Sequence, residues 1–338
     1  MIERYGKDIE MQKIRSLDDE RKYNERAIAA ADAFYAGDGC KSGSICRICG
    51  RKETSLYFEA YDGYLYYECS NCGSLFLDNL PKLEEMYRTD NVSNTRAYID
   101  EKIFEERVRQ LQSPKVDFVL EVCAEHDIKM STVWVDVGAG GGQILAAVQK
   151  KNIMAYGVES DQAEIEFMRS KGFSVLDAYV DPQEKNEALE ELLAKADVVS
   201  FMMVLEHVKS PADVVDYFYR FMKPGAVFVL EVPRHPSVAS FANLAYKNIV
   251  YRHITVPVHL QIFTEKAISM LLRGRFKILG KWGYGEGFSD LVKFPLISNH
   301  VKVDYRLYDM IMNENNDIQR LLDEAGLSDM MLFVAVKE

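Results

Sequence analysis

The chain has 338 residues, 48% of them hydrophobic, and a formal net charge of -11. That length and apolar content suit one large domain with a second, smaller one, and exclude extensive disorder. An acidic total is the reverse of the concentrated basic surface that phosphate backbones demand, so a nucleic-acid partner is not expected.

The first twenty residues mix charged and apolar types without an apolar core, so no secretory signal is read there. No apolar run approaches the roughly 20 residues of a membrane helix, and the cytoplasm is the expected location. Residues 1–44 read as a helical extension, strongest at RAIAAADAFYAG and stopped by Gly37, Gly39 and Gly43. Its expected role is packing on the body or on a second chain, which leaves oligomerisation through this segment open.

Residues 45–80 carry Cys46-x-x-Cys49-Gly and Cys69-x-x-Cys72-Gly around the strand-like pieces YFEA and YLYYE. Two thiolates from each pair complete a tetrahedral four-sulfur site with the spacing of a zinc ribbon. Such a site is coordinatively closed, so the Zn2+ it predicts is structural. Cys40 and Cys123 are left without a chemical role. Residues 81–130 read as a helical connector with a break at Pro114.

From residue 131 to 338 the pattern changes. VWVDVG, MAYGVE, FSVLDA, DVVSFMMV and AVFVLEV alternate with helical segments, and FKILGKWGY and MLFVAVKE follow. This is the signature of a doubly wound α/β domain with a mostly parallel sheet. Its first strand runs through Asp136 into Gly138, Gly140 and Gly142, and a helix opens at once. The dinucleotide fingerprint would place its last glycine where Gln143 stands, and no Gly-Lys-Ser/Thr follows. Asp136, beside the loop, would repel a pyrophosphate but suits a cofactor carrying ammonium and sulfonium. Glu159, ending the second strand, can accept from two ribose hydroxyls, and Asp177, ending the third, from an adenine amino group.

Asp136 through Gly142, Glu159, Asp177-Ala178, Val204-Leu205-Glu206-His207-Val208 and Met222-Lys223-Pro224-Gly225 together resemble the successive signatures of class I S-adenosylmethionine-dependent methyltransferases. The resemblance implies a Rossmann-like sheet of seven strands with the last antiparallel. It implies S-adenosylmethionine as cofactor, lined by Asp136, Gly138, Ala139, Gly140, Gly142, Gln143, Glu159, Ser160, Asp177, Ala178 and Met202. The ribbon and its tail, Asn79-Leu80-Pro81 and Tyr87, resemble proteins of bacterial surface-carbohydrate and antibiotic-sugar clusters, including sugar C-methyltransferases. Zinc-bearing ribosomal RNA methyltransferases are the rival comparison.

The fourth strand is followed by no Asn/Asp-Pro-Pro-aromatic segment, and the chain has no cysteine from residue 131 onward. Amine methylation of that type and cysteine-dependent cytosine methylation are therefore set aside. A histidine is the expected general base, either His207 or His259. Sugar C-methyltransferases are thought to use the histidine of a Glu-His pair; here Val258 precedes His259, which favours O- over C-methylation. The insert at 234–258 adds Arg234, Lys247 and Arg252, with His235 and His253, and would suit a diphosphate. The expected reaction is methyl transfer to a small molecule, a nucleotide-activated or phosphorylated sugar. The alternatives are an RNA methyltransferase reading its substrate through the ribbon, and a non-catalytic cofactor-binding subunit assembled through residues 1–44.

Overall fold

The computed structural model describes residues 1–14, 16–34, 45–61, 63–78, 101–129, 133–246, 248–250, 253–298 and 305–338. Gly37, Gly39, Cys40, Gly43, the tail at Asn79–Pro81, Tyr87, Lys247 and Arg252 lie outside them.

Twelve strands occur among the described residues, in chain order β1 (Ile2–Tyr5), β2 (Thr54–Ala60), β3 (Tyr64–Cys69), β4 (Leu75–Leu77), β5 (Val133–Val137), β6 (Met154–Glu159), β7 (Ser174–Asp177), β8 (Val198–Met202), β9 (Val227–Pro233), β10 (Gln261–Ile262), β11 (Phe276–Tyr284) and β12 (Met330–Lys337). The main sheet runs β1-β11-β12-β9-β8-β5-β6-β7. Every pair among β5 to β9 is parallel, and β12 alone runs against its neighbours β9 and β11. Strand order reverses between β5 and β8, which opens a crevice at the carboxyl ends of the strands.

The central strands are apolar almost without interruption because both of their faces are covered. Val135, Val137, Val199 and Phe201 enter one core. Trp134, Val198, Val227 and Val229 enter the other, against helix Ser113–Glu125 and helix Gln143–Gln149.

Three expectations change. The main sheet has eight strands, not seven, because Ile2–Tyr5 alternates in burial and adds parallel to the outer edge of β11. The amino-terminal segment is therefore not helical throughout. Pro114 ends no helix either: a π-helical stretch, Val108–Gln112, absorbs the irregularity and the proline sits in the first turn of the next helix.

The second sheet, β10-β4-β3-β2, is antiparallel and mixes two parts of the sequence. Its strand β10 comes from the larger, carboxyl-terminal half, Gln261 lying opposite Phe76 and Ile262 opposite Leu75. Helix Leu17–Phe34 covers this sheet through Ala27, Ala30, Ala31 and Phe34, packed with Tyr64, Tyr66 and Leu75, with Ile254 and Val256 of the insert and with Leu260 just after it. The apolar face of that helix is thus buried within the chain. Removing the Leu75 side chain, which is 0% exposed, should cost about 2–5 kcal/mol in urea unfolding. A loss below about 0.5 kcal/mol would show that this shared core contributes little.

Candidate functional site

At the carboxyl ends of the strands lies a cavity of about 640 Å³. The glycine loop forms part of its wall. Gly138, Gly140 and Gly142 take φ of 67°, 54° and 78°, a region side chains disfavour. A Cβ on Gly138 would also stand 2.6 Å from Val204 Cγ2, so only glycine lets the loop lie against the segment after β8. Gly142 serves packing instead: a Cβ there would meet Met168 and Phe173, and the residue does not line the cavity.

Four acids surround this loop. Asp136 is buried and its Oδ1 accepts from Ser200 Oγ at 2.5 Å, while Ser200 accepts from Trp134 Nε1 at 2.8 Å. Burial pushes the Asp136 carboxyl up to about 8, against the opposing pull of Ser200. Glu164, in the first turn of helix Gln162–Ser170, is pushed up to about 9 by burial and by the nearby Glu159 and Asp161. Glu159 holds the loop itself. Its carboxylate accepts from the amides of Gly140 at 2.9 Å, Ser160 at 2.7 Å and Asp161 at 3.0 Å. These carboxyl acceptors fit a ligand with a cationic part and hydroxyl donors.

Ala139, Gln143, Ser160, Ala178 and Met202 also line the cavity. Asp177 does not: it is exposed and accepts from Gln162 Nε2 at 3.0 Å, leaving the adjacent Ala178 and Tyr179 facing the cavity. Gln162 is in the preceding helix, and nothing in the strand pattern reveals that contact.

His207 and His259 line the same cavity, their ring centroids 4.9 Å apart in an edge-to-face arrangement. Nδ1 of each ring donates to a backbone carbonyl, that of His207 to Val258 at 2.9 Å and that of His259 to His253 at 2.9 Å, and the His207 ring is also hydrogen-bonded to the Met203 backbone. Burial lowers both, His259 to about 3 with the help of the neighbouring ring. Beside them Glu206 is 0% exposed, and neither carboxylate oxygen has a hydrogen-bond partner among the described residues. Burial pushes its carboxyl well above the usual range.

The second sheet holds this corner in place. Tyr66 of β3 donates its hydroxyl to the His259 carbonyl at 2.7 Å, and the Leu260 carbonyl accepts from Leu77 N at 2.9 Å. Gln261 Nε2 reaches the carbonyls of Leu205 and Val208 at 2.9 and 2.7 Å, pinning the loop that carries Glu206 and His207. Arg47, between the first two cysteines, donates to the Leu77 carbonyl at 2.7 Å and is spent within the chain. The sulfurs of Cys46, Cys49, Cys69 and Cys72 all lie within 4.8 Å of one another, with contacts of 3.6 Å for Cys46–Cys72 and 3.5 Å for Cys49–Cys69. Tetrahedral sulfurs about 2.3 Å from a zinc ion would be about 3.8 Å apart, near the two shorter contacts of this cluster.

The insert contributes less cationic surface than its composition suggests. Arg234 is paired with Glu265 at 2.9 Å, and His235 is buried against Tyr57 and Glu68 outside the cavity. His253 does line it. Sequence reasoning passed over charges that line it from elsewhere, among them Lys7, Lys22, Arg26, Arg107, Lys115 and Glu231. Lys115 Nζ meets Glu231 at 2.7 Å, Tyr284 donates to the same carboxylate at 2.5 Å, and Lys7 lies over the Tyr284 ring at 4.4 Å. Burial lowers the Lys7 ammonium to about 7. Lone lysines near residues 7 and 115 carry no motif, so only the fold brings them together.

The family described as a methyltransferase domain matches residues 96–275. The chain is 29% identical over 186 residues to a ubiquinone biosynthesis O-methyltransferase of Pseudomonas paraeruginosa (strain DSM 24068 / PA7), spanning 51% of this chain and 75% of that protein. It is 34% identical over 113 residues to the protein of that name from Hahella chejuensis (strain KCTC 2396), covering 32% and 46%. Among solved structures it is similar to the plantazolicin methyltransferase BamL, with a TM-score of 0.47 and 12% identity, over 76% of this chain and 94% of that one. A SAM dependent methyltransferase from Archaeoglobus fulgidus gives a TM-score of 0.40 at 20% identity, over 70% and 98%.

Lys115→Met leaves the buried Glu231 carboxylate short of its nearest cation and should destabilise the chain by about 3 kcal/mol in denaturant unfolding. The double change with Glu231→Leu should recover most of that loss. Equal destabilisation by the single and double changes would show that the pair is not what matters there.

Proposed function

We propose an acceptor and a division of labour for a chain that belongs to the methyltransferase-domain family and is an S-adenosylmethionine-dependent methyltransferase: it methylates a hydroxyl oxygen of a small molecule. One observation carries this reading. A single cavity is lined by the acids of the glycine loop, Asp136, Glu159 and Glu164, and by the paired rings of His207 and His259. The O-methyltransferases to which the chain is similar support oxygen as the acceptor atom. A sugar acceptor has less behind it: Arg234 is tied to Glu265, and Lys247 and Arg252 lie outside the described residues.

In this reading Glu159 binds ribose hydroxyls, and Asp136 and Glu164 face the cofactor's cationic groups. Gly138 and Gly140 let the ligand approach the main chain. S-adenosylmethionine supplies a methyl group on a sulfonium carbon. The chain's own work is to align the acceptor oxygen and manage its proton, which falls to the corner formed by Glu206, His207 and His259. The four cysteines hold a structural zinc ion that shapes the sheet behind that corner.

Calorimetric titration with S-adenosylhomocysteine tests the cofactor half. Asp136→Ala and Glu159→Ala should each weaken binding about 10- to 100-fold, since each removes a charge-assisted contact. Because Asp136 is held near 8 and Glu164 near 9, both carry protons at pH 7 in the free chain. A cationic ligand favours their ionised forms, so binding should release protons, and affinity should rise as pH climbs from about 6 to 8. Buffers of different ionisation enthalpy would report that release; identical heats in all of them would remove the assignment of these two acids.

For the acceptor half, Tyr66→Phe should lower kcat several-fold, leaving cofactor affinity unchanged, because it frees the backbone of His259. His259→Ala should lower kcat by roughly 10²–10⁴. Retention of full turnover by His259→Ala would exclude this corner from the reaction.

A further inference from the structure

The corner of Glu206, His207 and His259 has the makings of a second metal centre, separate from the four cysteines. Each of the three residues offers one ligand atom, and these atoms lie within 4.8 Å of one another. His207 Nε2 is 3.9 Å from Glu206 Oε1. A cation about 2.1 Å from each ligand needs ligand-to-ligand separations of roughly 3–4 Å, so shifts of about 1 Å or less close the site.

Three features point to a ligand rather than to packing. A fully buried carboxylate with no partner on either oxygen is costly to keep unless something cationic meets it, and no lysine or arginine is paired with Glu206 among the described residues. Nδ1 of His259 is fixed by the His253 carbonyl, the support that sets its ring to coordinate through Nε2, and the His207 ring, held by the backbone of Val258 and Met203, keeps its Nε2 3.9 Å from Glu206 Oε1. The frame is also braced from outside, by Gln261 on the Glu206–His207 loop and by Tyr66 on the His259 carbonyl.

We propose that Glu206, His207 and His259 bind one divalent cation in the acceptor part of the cavity and that this cation is a ligand of the acceptor oxygen. Two imidazoles and one carboxylate suit a borderline ion such as Mn2+, Fe2+, Co2+ or Zn2+ better than Mg2+ or Ca2+. A cation there acidifies the acceptor hydroxyl. The O–H bond breaks with its proton passing to solvent water, and the oxygen forms a bond to the methyl carbon as the carbon–sulfur bond of the donor breaks. This deepens the O-methylation reading and rests on it for the identity of the oxygen, but not for the cation itself.

The test uses the full chain with zinc in the cysteine site, titrated with Mn2+ and followed by the paramagnetic resonance signal of free Mn2+. The wild-type chain should take up one equivalent. Glu206→Gln and His259→Ala should each bind at least ten-fold more weakly, with zinc content by elemental analysis and affinity for S-adenosylhomocysteine both retained. The retained affinity shows that the variants are folded. No uptake by the wild-type chain, or uptake unchanged in both variants, overturns the cation site and leaves methyl transfer standing. Failure of the wild-type chain to bind S-adenosylhomocysteine would instead remove the cofactor assignment, whatever Mn2+ does.

Discussion

The arrangement depends on a strand pairing of only two residues, Gln261 and Ile262 against Phe76 and Leu75. Two residues of ladder contribute little by themselves. Their weight comes from what is fastened to them: His259 lies two residues upstream, Tyr66 and Leu77 hold the backbone at 259 and 260, and Gln261 pins the Glu206–His207 loop. The amino-terminal cysteine module therefore backs the backbone at His259 and Leu260 from behind, while none of its described residues lines the cavity. Its sulfurs share one core with the strands and helices of the catalytic domain, including Phe201, Phe263 and Ile268.

Elsewhere in the cavity a different balance holds. Asp136 and Glu164 are buried acids whose neutral forms burial favours. A cavity that keeps such acids with no ion-pair partner among the described residues is less stable empty than it would be with apolar residues there. The offset comes from a cationic ligand, and the same logic applies to Glu206. Lys115 and Glu231 show the contrast, since that pair is satisfied internally. Satisfied and unsatisfied charges line one cavity, and the unsatisfied ones mark where ligands are needed.

Much of this was legible in the sequence, for local reasons. Apolar strands alternating with helices, the glycines after Asp136 and the paired Cys-x-x-Cys motifs are all short-range patterns, and the sheet, the left-handed glycines and the sulfur cluster are there. What escaped was long-range. Ile2–Tyr5 has too few residues to read as a strand, and it finds an edge nearly 280 residues away, opposite Gly280 to Gly283. Asp177 has the position of a ligand acid, yet Gln162 captures it from the preceding helix. Arg234 looked available until Glu265 paired with it. Glu206 stood within a recognised segment, but only burial on every side shows that its carboxylate lacks a partner.

The dependence of the acceptor corner on the cysteine module is the central claim, and hydrogen–deuterium exchange tests it most directly, comparing the zinc-loaded chain with the same chain after chelation under reducing conditions. The account predicts that amides at 64–77 and at 259–264 lose protection together, while those at 138–148 keep theirs. Protection retained at 259–264 while the cysteine module exchanges would contradict it.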